Sequence, residues 1–194
     1  MILWIRARRV AAVLGTGLVL IAFAAALFTD VSAPLVSWTV SHQTVPVLTF
    51  APLILAATLA LCLESRLPEA ELTSIRPVPI LDTLLITTAL AGTLAITGVG
   101  YLLTHADEAL VLARNTVFLT GLMLAARSFT ARGGIVVATG WVLVVILVGH
   151  RTPTEFFSWA VTGLPIGAWH ATIAAVVAIT LGVLLTYLTA RKLP

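Results

Sequence analysis

Apolar residues gather into six long runs, Val10 to Phe28, Val45 to Leu63, Leu81 to Leu103, Leu110 to Phe129, Ile135 to Val148 and Ile166 to Leu188. A helix rising about 1.5 Å per residue needs about 20 apolar residues to cross a hydrocarbon core of about 30 Å. The runs therefore predict an all-α, polytopic membrane protein with about six transmembrane helices. Only the fifth run is clearly short. Residues 1–194 read as a single transmembrane domain without a soluble appendage.

Within the runs, small residues recur at four-residue spacing. Ala174, Ala178 and Gly182 form one such stripe, Ala89, Thr93 and Thr97 another, and Gly15 and Gly17 thin the first helix. In lipid, where the hydrophobic drive between helices is missing, such stripes let backbones approach closely. Helix packing accounts for them, and a path for substrate along the threonines of the third run is the alternative.

Two connections carry more signal than plain loops. Between the fifth and sixth runs, Thr152 and Glu155 have the spacing of a capping box, with Pro153 at the first helical position. A short helix over Pro153 to Thr162 is predicted, stopped by Gly163 and Pro165. Its aromatic residues Phe156, Phe157 and Trp159 set it in the outer interface, either as a headgroup-level anchor or as a re-entrant gate. Between the second and third runs, Pro68 followed by Glu69 and Glu71 suits a first helical turn, and Pro77 and Pro79 prevent continuation. Leu67, Leu72 and Ile75 then share an apolar face that ends at Arg76, so the segment reads as a docking helix or as a solvated loop.

Composition strengthens the membrane reading. The chain is 60% hydrophobic and 10% charged with a mean hydropathy of +1.10, and the charges fall almost entirely between the runs. Lipid has to be the solvent for most of it. The net charge of +3 does not point to nucleic acid, because the basic residues stand beside hydrophobic segments. Arg6, Arg8 and Arg9, then Arg66 and Arg76, then Arg127 and Arg132, then Arg191 and Lys192 mark every second connection. Those sides face the cytoplasm by the positive-inside rule, which puts both termini there; Arg151 is the exception. The run after Arg9 is longer than the usual signal-peptide core of about 7–15 residues, so it reads as a retained first helix.

Little catalytic chemistry is written here. Lys192 is the one lysine, so no phosphate-binding P-loop is present, and Cys62 alone makes neither a disulfide nor a cysteine metal cluster. His42, His105, His150 and His170 are scattered over different segments. No enzyme activity, cofactor or metal is expected from the chain itself. Asp82 opens the third run, where the helix dipole favours a carboxylate, and Arg114 lies two turns after Asp107 on one face, positioned for an outer ion pair.

The six-run pattern resembles the membrane subunit of an ABC-2-type exporter. In that class both termini are cytoplasmic, the loop between spans two and three docks the ATPase, and the connection between spans five and six forms short outer helices. Leu67 to Arg76 and Pro153 to Thr162 stand at those places, and Ala113-Arg114-Asn115-Thr116-Val117-Phe118-Leu119-Thr120-Gly121-Leu122 is similar to the fourth-span segment of actinobacterial permease-like proteins. Many arginines beside a single lysine fit such a high-GC source. Met1 to Arg9 is a short substitute for the amphipathic elbow helix with which the class commonly begins. The resemblance implies a multi-pass bacterial plasma-membrane permease, working with a second permease copy or a related permease and with separate ATP-hydrolysing subunits. The low charge of the walls suits an amphiphile, lipid or hydrophobic peptide. The alternative is the substrate-binding membrane subunit of a vitamin-uptake transporter, also of about six helices.

Overall fold

The computed structural model describes residues 10–29, 31–40, 43–64, 78–130 and 133–190. The predicted docking segment, with Leu67, Glu69, Glu71, Leu72, Ile75 and Arg76, lies outside the described residues, as do Arg66 and Arg132. Six α-helices are present among those described: α1 (Val10–Leu27), α2 (Pro52–Glu64), α3 (Val78–Thr104), α4 (Asp107–Arg127), α5 (Gly133–Val148) and α6 (Trp169–Ala190). A 3-10 turn, Val47–Phe50, leads into α2, where Pro52 takes the first helical position at which a missing N–H costs nothing. With that turn, four of the segments are long and apolar enough to cross a membrane: Val47–Glu64, Ile80–Thr104, Asp107–Arg127 and Trp169–Thr189. The helices α1 and α5 are apolar and shorter.

The distribution of side chains is compatible with a lipid surround. Large apolar residues point outward, among them Phe23 on α1, Leu103 on α3, Val136 on α5 and Val176 on α6. Polar groups such as Asp82, Thr93, Arg114, Asn115 and Thr120 are buried. An apolar exterior around a polar-containing interior is unfavourable in water and favourable in hydrocarbon.

The centre of the bundle is α4, buried from Leu112 to Leu124 over most of its positions and packed on α2, α3, α5 and α6. Its closest partner is α6. A Cβ at Gly121 would collide with the Ala178 backbone, and one at Gly182 would strike the Gly121 carbonyl. The Ala174, Ala178, Gly182 stripe is therefore the face that lets the α4 and α6 backbones touch. Gly17 of α1 makes room for the Thr58 side chain of α2, whereas Gly15 faces open space. Thr93 and Thr97 are buried with their hydroxyls donated to the Ala89 and Thr93 carbonyls of their own helix, so they present no chain of free hydroxyls to a substrate.

Several boundaries depart from the sequence pattern. The third helix begins at Val78, which places Asp82 one turn inside α3 and buried, not in the first turn. The turn from α3 to α4 takes only His105 and Ala106, with His105 in the left-handed region at φ 53° and its N–H still bonded to the Tyr101 carbonyl at 2.7 Å. The connection between α1 and α2 folds into a two-stranded antiparallel hairpin, β1 (Ser32–Leu35) and β2 (Gln43–Pro46), which no hydrophobic periodicity announced.

Candidate functional site

The hairpin lies at the end of the bundle where α5 stops, and it explains how α5 ends. A helix leaves its last four carbonyls without partners. Here Gly149 N–H donates to the Val145 carbonyl at 2.8 Å, Gln43 Nε2 to Ile146 at 3.1 Å, and Trp38 N–H and Ser37 Oγ to Leu147 at 3.0 and 2.9 Å. Gln43 is fully buried for this purpose.

Beyond α5 the chain does not form the predicted helix over Pro153 to Thr162. It turns back on itself, with an isolated antiparallel bridge between His150 and Phe156 and a Phe157 N–H to Gly149 carbonyl bond of 2.9 Å. Half of the capping box is made: Thr152 Oγ1 accepts the Glu155 N–H at 3.0 Å. The other half is replaced, because the Arg151 and Thr152 N–H groups both donate to the Glu155 carbonyl. Threonine followed by proline opens a β-turn as readily as a helix, and the His150–Phe156 pairing decides for the turn.

The aromatic residues therefore do not share a helical face. Phe156 stacks on His150 at a centroid distance of 4.1 Å, Trp159 meets Trp141 of α5 edge-on at 6.2 Å, and Phe157 is exposed. From Ala160 to Leu164 the chain is irregular yet largely buried.

Arg114 and Asn115 of α4 hold this irregular segment in place. The Arg114 guanidinium donates to the carbonyls of Val161 at 3.0 Å, Leu164 at 2.6 Å and Pro165 at 2.9 Å, and to Asn115 Oδ1. Asn115 Nδ2 donates to the Thr162 carbonyl at 2.7 Å. The expected ion pair between Asp107 and Arg114 is not formed: Asp107 is exposed, while Arg114 is buried and turns to the backbone. The carbonyls of a non-helical buried segment have no ladder to join, and a five-donor planar fork satisfies several of them at once.

Beside this segment lies a cavity of about 530 Å³, between the start of α4, the entry to α2 and the 149–168 connection. Asp107, Arg151 and Glu155 are among its exposed lining residues, and Leu112, Asn115 and Thr162 are among the buried ones. Thr162 is 2% exposed, and its hydroxyl has no hydrogen-bond partner. His150, 1% exposed behind Phe156, also has both ring nitrogens unpaired. Burial pushes its imidazole below the ordinary histidine value, an effect partly offset by the nearby Ile146 carbonyl.

Of the residues singled out from sequence, the structure brings Asp107, Glu155 and Phe156 into one cavity lining and puts Arg114 behind its wall. Sequence reasoning missed Asn115, Thr162 and Gln43. The signal for Asn115 was available, since it adjoins Arg114 in an otherwise apolar run. No group of His, Cys, Asp and Glu able to hold a metal occurs among the described residues. Comparison with protein-family models, curated proteins and solved structures finds no match to this chain.

Proposed function

We propose that the chain is the membrane-spanning permease subunit of a transporter, with the 149–168 connection as its outer gate. The observation that carries this reading is the buried, non-helical course of that connection against a cavity, secured by Arg114 and Asn115. Irregular backbone among apolar helices is tolerated where protein or a water-filled cavity satisfies it, and such segments mark translocation paths. The two short helices α1 and α5 complete six spans, and the alternating basic connections put both termini in the cytoplasm. Without a P-loop the chain takes its energy from a separate ATPase, for which residues 67–76 are the best docking segment, and a second permease copy completes the path for an exported amphiphile, lipid or hydrophobic peptide.

The uptake-module reading has one observation in its favour: the cavity has the size of a small-molecule site, which typically spans about 300–1,000 Å³. Purification from the native host separates the two. A dedicated ATPase that copurifies, and is lost when Glu69→Lys and Glu71→Lys are introduced into a normally inserted chain, supports the exporter. Absence of any ATPase together with a retained small molecule supports uptake. Reaction of cysteines placed at Ser65 and Ser74 with an impermeant thiol reagent in intact cells overturns the orientation common to both.

A further inference from the structure

The fifth helix stops short of its neighbour. α5 has 16 residues and α4 has 21, so at about 1.5 Å per residue they reach about 24 and about 31 Å. Two contacts set their register: Gly134 lies against Met123 and Arg127, and the rings of Phe118 and Trp141 meet at a centroid distance of 5.3 Å. Counted from the ring contact, Val148 comes level with Val111, about 6 Å below the start of α4 at Asp107. The carbonyls at this low end are the ones taken by Ser37, Trp38 and Gln43 of the hairpin segment. Its tip is thereby held below the level at which α4 ends.

The ribbon has two faces. Along β1 and into the turn, Ala33, Leu35 and Ser37 are half-buried, while Ser32, Pro34, Val36 and Trp38 are exposed. The inward face has its partners: Leu35 packs on the cluster around Phe118 and Val142, and Ser37 Oγ donates to the Leu147 carbonyl. The outward face ends in Val36 and Trp38, each 78% exposed. No Asp, Glu, Lys or Arg occurs from Val31 to Leu63, so the hairpin has none of the charge that a loop in water usually carries. The tip also continues an exposed apolar line of α5. Val136 and Leu143 are exposed, a Cβ at Gly140 would meet nothing within 4 Å, and Leu147, whose carbonyl takes the Trp38 N–H, follows at the same spacing.

We propose that the hairpin tip is set into the lipid interface at this end of the bundle, with the Val36 side chain and the Trp38 indole among phospholipid chains beside the glycerol layer. The inference rests on the reading of α5 as a membrane span and goes beyond it by naming what surrounds the tip. A span that ends early leaves its last carbonyls at the edge of the hydrocarbon, where they need partners from the protein. The hairpin supplies those partners and brings its own outward side chains to the same level. Tryptophan is enriched in that layer, and there the open edges of the ribbon still reach water, which deep hydrocarbon would deny them. A strand added by another chain fits less well, because Pro34 and Pro46 have no N–H to offer a new ladder.

The test uses the full chain with Cys62→Ala in phospholipid vesicles, carrying a nitroxide on one introduced cysteine, Val36→Cys or Leu143→Cys. Collisions with oxygen, which concentrates in lipid, are compared with collisions with a water-soluble nickel chelate. Oxygen should dominate strongly at Leu143 and by a smaller margin at Val36. Nickel collisions at Val36 that match or exceed those of oxygen put the tip in water, and low rates for both put it under another protein chain; either result overturns the proposal. Fluorescence gives a second readout on a milder variant. The emission lost on Trp38→Phe belongs to Trp38, and phospholipid brominated near the glycerol end of its chains should quench it. A difference emission untouched by the brominated lipid also overturns the proposal. The span reading fails in a different way: nickel dominance at Leu143 removes α5 from the membrane and the hairpin inference with it, whereas oxygen dominance at Leu143 with nickel dominance at Val36 removes the hairpin inference alone.

Discussion

The Arg114 Nη2 group donates to the Leu164 carbonyl at 2.6 Å, joining positions 50 residues apart in the chain. With the bonds to Val161 and Pro165 it gathers the connection before α6 onto the middle helix of the bundle. A buried guanidinium is costly to desolvate, and this one has no carboxylate partner among the described residues, so its stability depends on the carbonyls that surround it.

Replacing Arg114 with methionine should therefore release the 149–168 connection more than it disturbs the helices. The Val161 and Leu164 carbonyls lose their donor, while that of Pro165 keeps the Ala168 N–H, a cost of about 2 kcal/mol or more. Arg114→Lys should recover only part of it, because an ammonium cannot reproduce the planar fork. Limited proteolysis between Arg151 and Trp159, together with thermal melting in detergent, measures both effects. Unchanged cleavage in the methionine variant would show that the segment is held by its apolar contacts instead.

The contact between α4 and α6 gives a second expectation. Gly121→Ala puts a methyl group into the Ala178 backbone and should destabilise by about 1–3 kcal/mol, since neither helix can yield without losing its neighbours. Gly15→Ala meets nothing within 4 Å and should stabilise α1 by about 0.5–1 kcal/mol. Melting temperatures of the two variants, compared with the parent chain, should move in opposite directions.

A third expectation concerns acid. Burial holds His150 below its ordinary pKa in the folded chain, so the unfolded chain takes up its proton first as pH falls. Stability from this group is fully present above about pH 6.5 and is lost as pH falls below that value through the folded pKa. The loss should show as a lower melting temperature between neutral and mildly acidic buffer, and His150→Phe should remove most of that dependence. An identical acid sensitivity in the variant would assign it to other groups.

Comparing the six apolar runs with the six helices shows what hydrophobic length alone can specify. Bilayer thickness imposes a required run of apolar residues, so the cores of α1 to α6 were legible, with ends differing by a few residues except at α2, where the run expected from Val45 begins in a strand and a 3-10 turn and the helix starts at Pro52. The stripe on α6 was legible for a similar reason, because only small side chains permit backbone contact.

The hairpin was not legible. Pro34 and Pro46 stand within β1 and β2 and argue against strands; a two-stranded ribbon tolerates them because both its strands are edges. Nor could the chain reveal that the hairpin's Gln43 would cap α5, since that bond joins positions 103 residues apart.

What the sequence by itself determined was the apolar, helical character of the chain and the places of the six helices among the described residues, because both follow from local apolar length and composition. Tertiary structure alone decided the outcome at two sites where local rules left competing answers. Thr152-Pro153 can open a helix or a turn, and the pairing of His150 with Phe156 chose the turn. Arg114 can snorkel toward Asp107 or turn inward, and the carbonyls of Val161 and Leu164, otherwise without a donor, drew it inward. The pairing that decides the turn lies within the same segment, whereas the Leu164 carbonyl that turns Arg114 inward comes from 50 residues away, and a buried backbone carbonyl without a partner costs more than an exposed ion pair returns.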